Sequence, residues 1–536
     1  MSLSHGSDIV RKNAIDSFKQ ATDPVIQTTL AGALQNPSAY PHPVNQVDML
    51  ETHISYVFLA GPFAYKVKKA AELGFLDFRS PKARAFDCEE ELRLNRRLAP
   101  SLYMDVVAIT GSPARPIVGG NGPPVEYAIK MHRFSQDLLL DRLLARNQLT
   151  SEQVDELAQK IARFHASISV ASTGDAFGTA EAVQQPALEN FSQLRDAGCN
   201  SPDLTMLEDW TTTQCKQLEE TFNQRKKNGF VRECHGDFHL GNIALVQGEM
   251  TIFDCLEFNA NLRWIDVMNE AAFLVMDLQD RQRPDLAQRF LNRYLEITGD
   301  YAGLQVLRFY IVYRAIVRAK IHWLRANQSD VNAARKADLI AQHRDYIALA
   351  KNHIVARKPA IIITHGLSGS GKTMASQSLL ETIKAILIRS DIERKRSQGL
   401  AELAQTESSL NGGLYSADTT TLTYQRLLDL ARIIAEASYP VIVDATFLKR
   451  SQRDRFRQLA QAINIECLIL DFPTDEATLR ARVMERKQRR DDASEADIPV
   501  LEYQLATQEP LQPDEQAMTA AYDSTFGERW RASYNR

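Results

Sequence analysis

His235-Gly236-Asp237-Phe238-His239-Leu240-Gly241-Asn242 is the stretch that decides the fold. Its spacing, H-x-D-x-x-x-x-N, puts one carboxylate and one amide on a single short loop. Downstream, Ile252-Phe253-Asp254 ends an apolar run in a second carboxylate. Phosphoryl transfer from a nucleoside triphosphate needs such a set. One Asp takes or orients the alcohol proton, while an Asn and another Asp hold Mg²⁺ against the phosphates. Asp237, Asn242 and Asp254 fill these roles in order.

Upstream, the same chemistry calls for a strand lysine at the phosphates and a helix glutamate that pairs with it. The runs HISYVFLA and FAYKVKK, split by Gly61-Pro62, read as a β-hairpin. Lys66 is the expected lysine, with Lys68 on the same strand face as the alternative. Residues 80–98 read as a helix, with Ser80 as N-cap and Pro81 in its first turn. Of its adjacent Glu89, Glu90 and Glu91, Glu90 lies four residues from both Phe86 and Leu94. It would share their apolar face and need a partner there, so it is the expected one, with Glu91 second. MDVVAIT and EYAIKMHRF add two strands around a Gly/Pro-rich loop. Beyond Phe134 the pattern is mostly helical to about Val355. His165 reads as a core histidine.

HGDFHLGN and IFDCLEF resemble the loop and metal-binding strand of the aminoglycoside phosphotransferase-like kinase family, across residues 48–355. The resemblance implies a bilobal protein-kinase-like fold, ATP in the cleft, adenine hydrogen-bonded by backbone near Met131–Phe134, and phosphorylation of a small-molecule hydroxyl. HISYVFLAGPFAYKVKK lacks G-x-G-x-x-G, so the phosphate clamp must differ from that of protein kinases.

A second constellation begins at Gly366-Leu367-Ser368-Gly369-Ser370-Gly371-Lys372-Thr373, a full G-x-x-x-x-G-K-[ST] between an apolar strand and a helix. Its glycines let backbone N–H groups cradle phosphate oxygens, Lys372 adds a cation, and Thr373 offers a hydroxyl to Mg²⁺. Helix–strand alternation with wholly apolar strands follows, the pattern of a parallel sheet covered on both faces. Ser390-Asp391-Ile392-Glu393-Arg394 resembles the D-x-x-R motif of the phage polynucleotide kinase group. That resemblance implies a base role for Asp391 and phosphoryl contact for Arg394. Asp444, ending the strand VIVD, is similar to that group's Walker B position and would hold Mg²⁺. Arg486 and Arg490, four apart on a helix, resemble the arginines of a closing lid; the alternative is a solvated face balanced by Asp491, Asp492, Glu495 and Asp497.

The whole chain therefore reads as a mixed α/β and α+β protein. A lead-in (1–47) and a kinase-like domain (48–355) precede a P-loop α/β/α sandwich (358–536), an arrangement resembling bacterial aminoglycoside phosphotransferase/ATP-binding fusions. At 536 residues it exceeds one hydrophobic core. Sixty-three basic and 67 acidic residues leave a net charge of −4, which argues against a nucleic-acid track. Six scattered cysteines form no C-x-x-C pair. No signal peptide or membrane span is evident, so a cytoplasmic location is expected. The expected activity is ATP·Mg²⁺-dependent phosphorylation of a small-molecule alcohol at two nucleotide sites. Competing readings are one active domain with a regulatory nucleotide domain, a nucleic-acid end kinase, and a scaffold without turnover.

Overall fold

The computed structural model describes residues 24–52, 54–70, 78–329, 331–355, 358–402, 404, 416–489 and 493–534. The first half of the lead-in and Arg490 lie outside them.

The hairpin forms as the alternation requires. Strands β1 (Val47–Glu51), β2 (Ser55–Ala60), β3 (Phe63–Lys68), β4 (Tyr103–Ser112), β5 (Arg115–Val118) and β6 (Glu126–His132) build one antiparallel sheet in the order β1-β2-β3-β6-β4-β5. The two edge strands, β1 and β5, were not anticipated. β1 is largely exposed and carries charge, and β5 contains Pro116, which a sheet tolerates at its edge. Gly111, near the end of β4 and paired with Pro116, has φ +87°, and a Cβ there would lie 2.5 Å from the Arg115 carbonyl oxygen. Phe58, Tyr65 and Val67 fill the core on one face of the sheet. On the other, Ala64, Ile129 and Met131 pack with Cys88 and Leu92 of helix α1 (Pro81–Asn95). The Ser80 hydroxyl caps α1 by accepting from the Ala83 N–H at 3.1 Å.

β7 (Val231–Glu233) pairs with β10 (Trp264–Asp266), and β8 (Ile243–Val246) with β9 (Glu249–Ile252). Helices α2 (Val267–Asp280), α3 (Pro284–Thr298), α4 (Leu304–Ala326) and α5 (Ala333–Ile354) follow.

The second sheet is parallel throughout, in the order β12-β13-β11-β14-β15: β11 (Ala360–His365), β12 (Ile386–Arg389), β13 (Val441–Asp444), β14 (Glu466–Asp471) and β15 (Thr519–Ala521). Ala360 to Ile363 are fully buried, as a strand covered on both faces must be. Helices α6 (Lys372–Ile383), α7 (Ser390–Ser397), α8 (Ala417–Glu436), α9 (Glu476–Arg489) and α10 (Ile498–Thr507) surround it.

Packing divides the chain into two compact units. One holds residues 1–150, 164–182 and 223–273; the other holds 151–163, 183–222 and 274–536. The motifs change character near Lys358, whereas α3 through α5 fall in the same compact unit as the parallel sheet. Among the described residues, no helix is long and apolar enough to cross a membrane.

Candidate active sites

In the first unit, the pleat of β3 sends Lys66 and Lys68 to the face opposite Val67. The Lys66 ammonium donates to Glu91 at 2.8 Å and to Asp254 at 2.5 Å. Lys68 donates to the other Glu91 oxygen at 2.7 Å and to Glu257. Glu91 would be raised by burial, but the two lysines outweigh that and hold its carboxyl at about 2. Burial pushes Glu257 up to about 7.

The pairing expected of Glu90 is corrected. Glu90 instead accepts from Arg93 at 2.7 Å and from Arg263 at 2.8 Å. The reason is the helix face. Phe86 is 68% exposed, so the Phe86–Glu90–Leu94 line is not the stripe that faces the sheet. Arg84, Cys88, Glu91 and Asn95, spaced by three or four, form a buried line together with Leu92, whereas of the Phe86–Glu90–Leu94 line only Leu94 is buried. That spacing was the available signal for Glu91.

The HGDFHLGN loop leaves β7 and ends in a single 3₁₀ turn, Leu240–Asn242. Gly236 has φ +89°, and a Cβ there would meet the Leu262 carbonyl oxygen at 2.8 Å. The Asn242 side-chain NH₂ donates to the Asp237 carboxylate at 2.9 Å and to its carbonyl at 3.0 Å. Its amide oxygen is thus the atom it has for a cation. His239 Nδ1 accepts from the Gly241 N–H at 3.1 Å and orders the turn. One neutral tautomer of His235 satisfies both its contacts: Nε2 donates to the Phe253 carbonyl at 2.9 Å, and Nδ1 accepts from the Asp237 N–H at 3.3 Å. Burial lowers its pKa, which keeps that tautomer neutral. His235 therefore ties the loop to the strand end that carries Asp254, itself held at φ +63°. Glu270 of α2 accepts from the Gly236 N–H at 2.7 Å and pairs with buried His165 at 2.8 Å, so His165 is a core histidine that braces the loop through Glu270.

Met131 lies within β6 and is buried. The next two amides are used internally, His132 to Leu102 and Arg133 to Pro62, each at 2.9 Å. Those two N–H groups are therefore not donors to an adenine.

In the second unit the P-loop wraps as its glycines permit: Gly366, Gly369 and Gly371 have φ of 151°, 85° and 90°. The Lys372 ammonium donates to the carbonyls of Gly366 (2.9 Å) and Leu367 (2.8 Å) and to the Ser370 hydroxyl (3.3 Å). Burial lowers it to about 8, against the opposing pull of Asp444 and Asp391. The Thr373 hydroxyl donates to Asp444 at 2.6 Å. Burial would raise Asp391, but Arg394, Arg389 and Arg486 outweigh it and hold the carboxyl below its usual range. Arg394 stands 3.8 Å from Asp391. Arg486 donates to the Ala496 carbonyl at 2.8 Å. These side chains line one cleft of about 660 Å³. Gln504 of α10 was missed: it accepts from the Ser368 N–H at 2.9 Å and donates to the Ser368 hydroxyl at 3.0 Å, clasping the P-loop tip.

Both sites offer hard oxygen donors of the kind Mg²⁺ takes: an amide and a carboxylate in one, a hydroxyl and a carboxylate in the other.

Residues 75–310 match the phosphotransferase enzyme family and residues 361–511 match an AAA domain family. Uncharacterized proteins of Mycobacterium tuberculosis and Mycobacterium bovis are each 32% identical over 425 residues, covering 78% of this chain and 82% of theirs. Among solved structures the chain is similar to a choline kinase from Cryptosporidium parvum, at 11% identity and TM-score 0.39, covering 61% of this chain and 96% of that one. It is also similar to a gluconokinase from Sinorhizobium meliloti, at 24% identity and TM-score 0.22, covering 31% and 83%.

Proposed function

The chain belongs to the family of these mycobacterial proteins and joins a phosphotransferase domain to a P-loop AAA domain; it is a phosphotransferase, and we propose that it moves the γ-phosphoryl group of ATP onto hydroxyls of small molecules at two separate sites. In the first, Asp237 orients the acceptor hydroxyl and takes its proton, and Lys66, braced by Glu91, meets the phosphates. In the second, the P-loop amides and Lys372 hold the phosphates, Asp391 is the base, and Arg394 and Arg486 face the transferred group. Asn242 with Asp254, and Thr373 with Asp444, would hold Mg²⁺, which neutralises phosphate charge when bound. Excluding water from the second cleft favours transfer over hydrolysis. Free thiols at all six cysteines fit a cytoplasmic location, and the net charge of −4 fits a small acceptor better than a nucleic acid.

The observation that carries this reading is the convergence of Lys66, Glu91 and Asp254 within 2.8 Å from segments up to 188 residues apart. A metabolite-library screen with γ-labelled ATP tests it, run on the full chain and on its Asp237→Ala and Lys372→Ala variants. Two independent kinases predict label transfer that each variant removes for its own acceptor alone. Loss of all transfer in either single variant contradicts independence. Transfer only to 5′-hydroxyl oligonucleotides contradicts the acceptor class.

A further inference from the structure

β12 is an edge strand of the parallel sheet, and an edge leaves backbone groups needing partners. Helix α3 supplies them. Asn292, only 7% exposed, donates its NH₂ to the Ala385 carbonyl at 3.1 Å, and its amide oxygen accepts from the Leu387 N–H at 2.8 Å. A single side-chain amide thus imitates a neighbouring strand. Gln288 adds a second bond to the Ala385 carbonyl at 2.6 Å.

At the far end of β12 the contacts turn ionic. The Glu296 carboxylate pairs with Arg293 of its own helix at 2.6 Å and reaches Arg389, the last residue of β12, at 3.5 Å. The Glu296 carbonyl, in the last turn of α3, accepts from Arg396 of α7. A cation there meets the negative end of the helix dipole. Arg396 lies so close to Gly299, the left-handed residue that ends α3, that a Cβ at Gly299 would come within 3.2 Å of its guanidinium. Arg293 also pairs with Glu402 at 2.9 Å.

Arg389 has a second face. It lines the cleft with Asp391 and Asp444, and its charge acts on both carboxylates. The helix that holds Arg389 from behind lies inside the segment that matches the phosphotransferase family. No P-loop motif would reveal it.

We propose that Glu296 is a positioning residue for the P-loop site. It orients Arg389 and, through the last turn of α3, fixes α7, which carries Asp391 and Arg394. A helix of the phosphotransferase segment is thereby a working part of the second site. This rests on the reading of that site as a phosphotransferase.

The test uses the full chain with Asp237→Asn silencing the first site. Glu296→Gln keeps the size and removes the charge. ADP formation that depends on Lys372 is expected to fall about tenfold, with the ATP KM and the melting midpoint unchanged. Arg389→Gln is expected to fall similarly, and the double variant no further, because both changes break one coupling. Hydrogen exchange of the amides of 390–397 is expected to quicken in Arg396→Gln, which removes the donor to the Glu296 carbonyl, while that of 372–383 stays as it was. Unchanged exchange in 390–397, or losses that multiply in the double variant, overturns the proposal. Absence of any Lys372-dependent label transfer or ADP formation with every acceptor of the metabolite library defeats the phosphotransferase reading of the site, and the exchange experiment still decides whether α3 holds α7.

Discussion

Lys66 and Lys372 are given the same task, meeting the phosphates of a nucleotide, and are housed in opposite ways. Lys66 sits among carboxylates, Glu91 and Asp254, which hold its ammonium well above the ordinary lysine range against the cost of burial. Lys372 is equally buried but rests on two backbone carbonyls and a hydroxyl, and falls to about 8. The first lysine is kept charged by its neighbours and, under the proposed function, would exchange its Asp254 contact for a phosphate. The second has no direct carboxylate contact among the described residues, so under the proposed function a phosphate would supply the counter-charge. One site is balanced before the nucleotide arrives; the other is balanced by it.

The comparison breaks most readily at the proton acceptors. Asp237→Ala and Asp391→Ala should each slow their own acceptor's phosphorylation about 10²–10⁴-fold and leave the other's rate unchanged, measured with each acceptor in turn. Next comes the carboxylate cage. Glu91→Ala takes from two buried lysines the carboxylate they share, leaving each a single carboxylate partner, and should cost about 3 kcal/mol in denaturant unfolding. Glu90→Ala removes more exposed pairs and should cost about 1 kcal/mol or less. Equal costs would undo the assignment of Glu91. Because Glu91 is depressed from 4.5 to about 2, its stabilisation is complete above pH 4.5 and is lost as pH falls toward 2.

The pH dependence of binding sharpens the contrast from the other side. Phosphate favours protonated Lys372, so nucleotide affinity at the P-loop should weaken above about pH 8, by at most about tenfold per pH unit. The Lys66 site should show no such limb. Competition titrations with MgADP at pH 7 and 9, on Lys66→Ala and Lys372→Ala chains, separate the two. The smallest effect is that of the P-loop clasp: Gln504→Ala should weaken nucleotide binding there by about 1 kcal/mol, read by calorimetry.

What the sequence disclosed follows the same division. The HGDFHLGN loop and the P-loop are contiguous, and both use glycines where no other residue fits, so they could be read before any fold was known. Glu91 was misassigned because Phe86 looked like part of a buried stripe and is exposed; the line through Cys88 and Asn95 was the better guide. Edge strands β1 and β5 are short, charged or proline-bearing, and carry too little alternation to register. Gln504 on Ser368, and Asn292 and Glu296 on β12 and its following helix, are contacts across roughly a hundred residues. No local pattern encodes them, because each side chain is unremarkable on its own helix.

The central claim is that one chain carries two complete nucleotide sites. Calorimetric titration with a non-hydrolysable MgATP analogue counts them directly. The account predicts two molecules bound per chain, and one in Lys66→Ala and in Lys372→Ala. A single molecule bound by the unaltered chain, lost in one variant and kept in the other, would contradict it.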